Sequence, residues 1–498
     1  MIEFLNWLDG VLWGLPLIVL MISTGIYFTV RSGFFQFRRF GWILKNTGGT
    51  ILNKKSQKQE DNAKGMLSSF EAISTAIGGT VGFGNIAGVA TAVAAGGPGA
   101  VLWMWLSACL GMILKQVEVT LGCYYRHTNE KGEYYGGPTY YMERGLGEER
   151  RWGKLWLIPA VIFGAGIFST FFVTSSTLTA SQVVAGAFKM DTVNIGGFQI
   201  EGVILVGAAL CVLTYIVTDG GTKKIASLFS KLVPLMSVFY ILMGIGMILA
   251  NLSRVPSVFA AIVTNAFTGT AAIGGFAGCA VSEMIRVGMA RSVYSNEAGW
   301  GTSPMVHASS KTRHPVEQGL WGSFEVFVDT FIVCTITALS VLITGEWTSG
   351  ATNATLALNV FQNNLGFFGT VFMTATMVIF SVTTSGGWYV YYEATLRHLA
   401  MNHPTVKKWL LRMFKYFYAL PFLLTLYLIH VGDLSIWTLV DITSGIPTFI
   451  NVFVVLILSG TYFRLLKDYK ARYMNIGTLE DKDMPLFYED KKKLEKAE

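Results

Sequence analysis

The chain has 498 residues, of which 52% are hydrophobic and 14% charged, and its mean hydropathy is +0.48. Soluble proteins carry about 25% charged residues, so the composition excludes a soluble domain and indicates an integral membrane protein. A formal charge of +7 has the sign that attracts nucleic acid, but the basic residues sit in short loops between apolar runs. That is the positive-inside pattern of a membrane protein, and no nucleic-acid partner is expected. Cys109, Cys123, Cys211, Cys279 and Cys334 fall within or at the ends of apolar runs and read as small packing residues. Glu3 and Asp9 stand where a cleavable leader would be basic, so none is expected.

A helix crosses the bilayer with about 20 apolar residues. Eleven spans are expected, near residues 11–30, 66–95, 98–124, 155–187, 202–218, 232–250, 257–284, 317–343, 358–386, 414–430 and 436–463. The loop after the first carries Arg31, Arg38, Arg39, Lys45, Lys54, Lys55, Lys58 and Lys64. The loop after the third holds Arg126, Lys131, Arg144, Arg150, Arg151 and Lys154. Later loops on the same side contain Lys223, Lys224 and Lys231, then Arg286, Arg291, Lys311 and Arg313, then Arg397, Lys407 and Lys408. The opposite side has Lys189 and Arg254. This alternation places the N-terminus outside and the C-terminus in the cytoplasm of a plasma (inner) membrane. The tail from Arg464 to Glu498 is mixed-charge and polar, a composition that favours partial disorder.

Two spans carry helix-breaking runs. The second contains Gly78-Gly79-Thr80-Val81-Gly82-Phe83-Gly84-Asn85, and the seventh contains Thr268 to Gly278 with Gly274 and Gly275 at its centre. Small residues alone can mean close helix packing, but that does not explain two breaks at corresponding places in oppositely directed halves. Unwound backbone at membrane depth survives where it lines a cavity and binds something. The expected organisation is 1–65 for an extra helix and basic loop, 66–250 for a five-helix unit, 251–465 for its inverted repeat, and 466–498 for the tail.

A carboxylate at a span centre costs about 2.5–3.5 kcal/mol on the insertion scale, so each needs a reason. Glu325 and Asp329 are four apart and share a helix face, and Glu71 precedes the first break. These three are candidate coupling or proton sites, against a reading as hydrogen-bonded struts between helices. Glu118, with Lys115 three residues before it, reads as structural. The six histidines form no ligand set with cysteine, and no phosphate-binding loop is present. No cofactor, nucleotide or enzymatic chemistry is expected, and an ion gradient is left as the energy source. A channel is disfavoured because a pore needs no occluded site.

Gly78 to Gly88, Gly136-Gly137-Pro138-Thr139-Tyr140-Tyr141 and Asn296-Glu297-Ala298-Gly299-Trp300-Gly301-Thr302-Ser303-Pro304 resemble the alanine or glycine:cation (sodium:alanine) symporter family. So do His314-Pro315-Val316 with Gln318-Gly319, Val328-Asp329-Thr330 and Cys334-Thr335. The resemblance covers nearly the whole chain and implies an all-α LeuT-type fold, a 5+5 inverted repeat with one extra N-terminal helix. The chain departs from the family pattern at Glu71, where Gln is expected, and at Glu325, where Gly is expected. Phe83 is larger than usual, and Trp300 is also unusual.

The resemblance further implies that the amides of Phe83 and Gly84 hold a substrate carboxylate. Gly82 admits close approach beside Thr80, and Asn85 positions substrate or ion. Sodium would take the carbonyls of Gly78 and Val81 with the hydroxyls of Thr383 and Thr384. Gly274, Gly275 and Phe276 would form the other wall, with Phe171, Phe172 and Trp388 as aromatic gates. The implied function is sodium-coupled uptake of a small neutral amino acid, alanine or glycine. The alternatives are a proton-coupled relative using Glu71 and Glu325, or a carrier of a larger amino acid.

Overall fold

A computed structural model describes residues 2–51, 66–271, 273, 276, 278–432, 436–479, 481 and 483–495. Lys54, Lys55, Lys58 and Lys64 of the first basic loop, and Gly274 and Gly275, lie outside the described residues. The chain is helical almost throughout, with two small antiparallel hairpins, His127–Thr128 with Tyr134–Tyr135 and Thr192–Ile195 with Phe198–Glu201.

Helices α1 (Ile2–Leu12) and α2 (Leu15–Arg31) form one apolar run. Helix α3 (Ser69–Thr80) starts with a reciprocal cap, in which Ser68 accepts from the Glu71 N–H and the Glu71 carboxylate accepts from the Ser68 N–H at 2.9 Å. It stops where Gly78 and Gly79 lower helix propensity. The chain resumes as a π-turn over Gly84–Gly88 and as α4 (Val89–Gly96), the pair being bent by 46°. Then come α5 (Gly99–Tyr124), α6 (Leu157–Phe171), α7 (Ser175–Ala187), α8 (Gly202–Thr218), α9 (Gly221–Ala250) and α10 (Val255–Thr268).

Helix α11 (Val281–Asn296) leads through an irregular stretch to the short α12 (Ser303–His307). Helix α13 (Pro315–Val326) passes through a π-turn over Phe327–Cys334 into α14 (Thr335–Thr344). Helix α15 (Asn353–Leu399) is kinked at Gly366, whose φ is 59°. The chain closes with α16 (Pro404–Phe417), α17 (Pro421–Gly432), α18 (Ile436–Ile457), α19 (Ser459–Met474) and α20 (Tyr488–Glu495).

Among the described residues, seven helical runs are long and apolar enough to cross a membrane, and the bent pair α3–α4 makes an eighth. The outer face of α9 exposes Leu235, Val238, Phe239, Leu242 and Leu249. An apolar stripe of that length suits lipid rather than water. Inside the bundle, α5 packs on α11 and α13, α7 on α15, α3 on α9 and α15, and α6 on α18.

Three expectations need correction. The Gly-rich run from Thr268 to Gly278 does not interrupt a span. It joins α10 to α11, with Thr270 paired to Cys279 and Ile273 to Phe276 across a tight return. The helix break of this half lies at 297–302, so the span expected at 257–284 runs instead along α11 and α12. Arg286 and Arg291, counted as loop charges, therefore belong to α11. Arg291 is buried there in a two-pronged pair with Asp441 of α18, at 2.7 and 2.6 Å.

The C-terminal tail is docked rather than loose over its described length. Glu489 accepts from the Thr128 N–H at 2.8 Å, the Thr128 hydroxyl at 2.6 Å and Arg144 at 3.2 Å. The Tyr488 ring packs against Tyr124 and Tyr125.

Candidate functional site

The two helix breaks face each other. In the first, Val81 turns extended and Gly82 passes so close to α15 that a Cβ there would fall on the Thr384 hydroxyl. One turn before, a Cβ on Gly387 would stand 2.6 Å from the Gly79 Cα. Glycine at both positions therefore lets α3 and α15 touch backbone to backbone. Asn85 shapes the turn, since its Oδ1 accepts from the Gly82 N–H at 2.8 Å. Its amide donates to Asp329 Oδ1 at 2.6 Å. Asp329, in the π-turn after α13, also accepts from Ser295 of α11 at 2.9 Å and from Thr330 at 2.9 Å. This one carboxylate links both broken helices.

The second break runs through Glu297, Gly299 and Gly301, at φ values of 54°, 89° and 82°. Its freed backbone groups are taken by side chains from neighbouring helices, as membrane depth requires. The Gly299 N–H donates to Glu118 Oε2 at 3.0 Å, and the Gly299 carbonyl accepts from Asn451 at 2.9 Å. Asn451 also donates to Glu118 and bonds the Tyr141 hydroxyl.

Glu118 is thus a strut for the break. Its expected partner Lys115 instead meets Glu325 Oε1 at 2.8 Å and donates to the Asn296 carbonyl at 2.5 Å. Lys115 and Glu325 are both fully buried. Glu325 Oε1 also accepts from Thr80 at 3.2 Å and Ser303 at 3.3 Å, and His307 Nε2 stands 3.5 Å from its second oxygen. Gln318 and Ser69 extend the cluster, at 2.6 Å from His307 Nδ1 and 3.0 Å from Gln318 Oε1 respectively.

Between the breaks is a gap of about 20 Å³, bounded by Gly79, Thr80, Phe83 and Gly84 on one side and Glu297 and Trp300 on the other. Thr384 and Trp388 of α15 close it, and the Thr384 hydroxyl is buried with no hydrogen-bond partner among the described residues. A second cavity of about 70 Å³ continues toward the interruption between α6 and α7, past Phe171, Ser175, Ser176, Ser385 and Tyr392. Phe83 stacks on Trp437, and Tyr294 meets both rings edge-on, with centroids 5.7–6.4 Å apart. The Arg291 guanidinium lies on the Trp437 ring at 4.5 Å.

The structure therefore gathers Thr80, Gly82, Phe83, Gly84, Thr384 and Trp388 around one space. Asn85 and Asp329 lie behind its wall. Phe172 is turned outward and 48% exposed, and its neighbour Phe171 takes the place at the cavity. Phe276 packs on Trp347, 5.2 Å between centroids, and does not line the gap. Thr383 donates to the Phe380 carbonyl at 3.2 Å and faces Met236, so its hydroxyl points away from Gly82. Gly78 is buried in the last turn of α3, where a Cβ on it would strike Phe229, and Val81 is buried just past the end of that helix. Glu71 is occupied in the cap of α3. Glu297 and Trp300 were missed as site residues. Both stand in the Asn296 to Pro304 motif, where two glycines, an asparagine and a proline mark broken backbone.

Residues 1–482 match the sodium:alanine symporter family. The chain belongs to that family. It is 38% identical over 388 residues to the uncharacterized transporter YflA of Bacillus subtilis, covering 77% of this chain and 78% of that one. It is 33% identical to the sodium/alanine symporter AgcS of Methanococcus maripaludis, covering 92% and 95% of the two chains. Its backbone resembles the crystal structure of MhsT in complex with L-phenylalanine, with a TM-score of 0.58 at 14% identity over 82% of this chain and 93% of that one. The fold is thus LeuT-like, and this symporter-family member is a membrane transporter for cation-coupled amino acid symport, not an enzyme.

Proposed function

We propose that this family member couples sodium entry to the uptake of a small neutral amino acid, alanine or glycine, by alternating access. The observation that carries the reading is the gap between two facing helix breaks, with the unpartnered Thr384 hydroxyl at its edge. The amides of Phe83 and Gly84, at the start of a resumed helix, suit a substrate carboxylate. Sodium prefers oxygen ligands, and we assign it to the Thr384 hydroxyl with the Gly78 and Val81 carbonyls. Thr383 joins them only if its hydroxyl leaves the Phe380 carbonyl. Asn85 positions the substrate-binding turn, and Trp388 and Phe171 gate it.

The eleven-span reading is supported by adding α8, α11–α12 and α16–α17 to the eight apolar runs. It gives one extra helix before a 5+5 inverted repeat, with the N-terminus outside and the C-terminus in the cytoplasm of the plasma membrane. Each five-helix unit then opens with a broken helix, α3–α4 in one and α11–α12 in the other. Binding of cation and solute between the breaks would draw them together and favour closure on the outer side.

The 70 Å³ cavity beside the gap favours, as a second reading, a neutral amino acid larger than alanine, its side chain directed past Ser175 and Ser176. A proton-coupled mechanism would require Glu71, Glu325 or Asp329 to leave the partners each has. Uptake of labelled L-alanine into proteoliposomes tests the primary reading. Accumulation driven by an inward sodium gradient, absent with potassium, is the expected result. Accumulation driven by a pH gradient without sodium would replace sodium with the proton. Failure of alanine under both gradients, with competition by glutamine or leucine, would move the substrate to the larger class.

A further inference from the structure

We propose that the Glu297 carboxylate is the seat of the solute's ammonium group and makes a charged amine a condition of binding. The inference rests on the reading of the gap as an amino-acid site.

Four carboxylates lie around the two breaks, and three have evident duties. Glu325 is paired with the Lys115 ammonium. Glu118 holds the Gly299 N–H and Asn451. Asp329 accepts from Asn85, Ser295 and Thr330. Glu297 differs in its place, because it alone of the four lines the gap. It is 2% exposed, yet among the described residues no lysine, arginine or histidine forms an ion pair with it.

Its hydrogen bonds come from two neutral hydroxyls, Thr302 at 2.5 Å and Tyr391 at 3.3 Å, and both arrive at the same oxygen, Oε2. Glu297 also lines the gap. The Tyr391 hydroxyl that it holds lies against the first break, where a Cβ on Gly79 would come within 2.6 Å of it. The carboxyl group is thereby anchored by one oxygen beside the space where substrate would lie.

A buried carboxylate without a counter-charge is expensive unless a cation arrives. The gap supplies the rest of a cation's surroundings in the rings of Phe83, Trp300 and Trp388, whose faces attract positive charge. The opposite wall carries the Phe83 and Gly84 amides that suit an anion. A zwitterion with its carboxylate at the π-turn before α4 and its ammonium on Glu297 would bridge the two broken helices. That bridge links solute occupancy to the relative position of the two repeats.

Sodium could claim the same oxygen, and the experiment separates the two cations. The purified full-length protein is titrated with L-alanine, and with L-lactate, which keeps the carboxylate and replaces the ammonium by hydroxyl. Sodium-induced thermal stabilisation is measured separately without amino acid. The wild type is expected to prefer alanine strongly. Glu297→Gln should weaken alanine by at least about 30-fold, the effect of truncating a desolvated charge pair, and bring the alanine-to-lactate ratio toward unity. Its sodium stabilisation should stay unchanged.

Loss of sodium stabilisation in Glu297→Gln would make Glu297 a sodium ligand and overturn the proposal. Equal weakening of alanine and lactate would show a purely structural role and also overturn it. If Glu297→Gln does not fold, Glu297→Asp decides. Weaker alanine binding with the preference over lactate retained supports the seat, whereas unchanged alanine affinity overturns it. A folded wild type that binds sodium but no amino acid would overturn the amino-acid reading itself, an outcome visible before any variant is made.

Discussion

The Lys115–Glu325 pair gives the most quantitative test of how this bundle is held together. The two charges are 2.8 Å apart and fully buried. At an effective dielectric of about 20 their attraction is about 6 kcal/mol, and withdrawing both ions from water consumes several kcal/mol of that. The pair should therefore contribute little net stability, while either charge alone should be strongly destabilising. Lys115→Met leaves the Glu325 carboxylate with hydroxyl and imidazole neighbours only. Glu325→Gln leaves the ammonium on the Asn296 carbonyl.

Each single change is expected to lose about 3–5 kcal/mol, and the double change Lys115→Met with Glu325→Gln should return to within about 1 kcal/mol of wild type. Thermal unfolding of purified protein, followed by tryptophan fluorescence, should show midpoints several degrees lower for the singles and largely restored for the double. The double variant should also retain sodium-driven uptake if Glu325 is a strut rather than a proton carrier. Singles as stable as wild type, or a double whose loss equals the sum of the two, would refute the reasoning.

Thr384→Ala removes the unpartnered hydroxyl at the break and should raise the sodium concentration for half-maximal uptake by about tenfold, equivalent to about 1.4 kcal/mol; an unchanged sodium dependence would remove Thr384 from the cation site. Gly82→Ala places a Cβ on the Thr384 hydroxyl and should abolish uptake while the protein still reaches the membrane, read by transport and by surface labelling together. Burial raises the Glu489 carboxyl, but the bonds from Thr128 and Arg144 prevail and hold it below its usual 4.5. Its contribution to docking α20 is thus complete above about pH 4.5 and lost as pH falls through the lower, docked-state value. Limited proteolysis of the tail should accelerate on acidification in the wild type, and Glu489→Gln should be cleaved quickly at every pH; equal protection of both at neutral pH would refute the contact.

The first break was legible because glycine at 78, 79, 82 and 84 removes helix propensity, and side chains, where two helices must touch. The second is hidden because glycine content and the expected span count both point to a stretch upstream of it. The run from 269 to 278 is richer in glycine and makes an ordinary return between α10 and α11. The true break is begun by Glu297, a non-glycine residue at positive φ, and α11 carries Arg286 and Arg291, so the stretch resembles a loop on any hydropathy scale. Its polarity is tolerated because Asp441, Glu118, Asn451 and Asp329 reach it from three other helices.

Partner choice among buried charges escapes local spacing for the same reason. Lys115 and Glu118 share a face of α5, yet a helix neighbour three residues away competes with whole side chains presented by α13 and α18. Lys115 meets Glu325 on α13, and Glu118 meets Asn451 on α18 and the open backbone of Gly299. Each pairing ties α5 to another helix, and Glu118 reaches the second break as well, where a local Lys115–Glu118 pair would have stiffened only α5. The carboxylate left facing the gap is Glu297. Of the four buried carboxylates around the breaks it alone borders the space between them, and that position is the feature that most directly calls for a cation from outside.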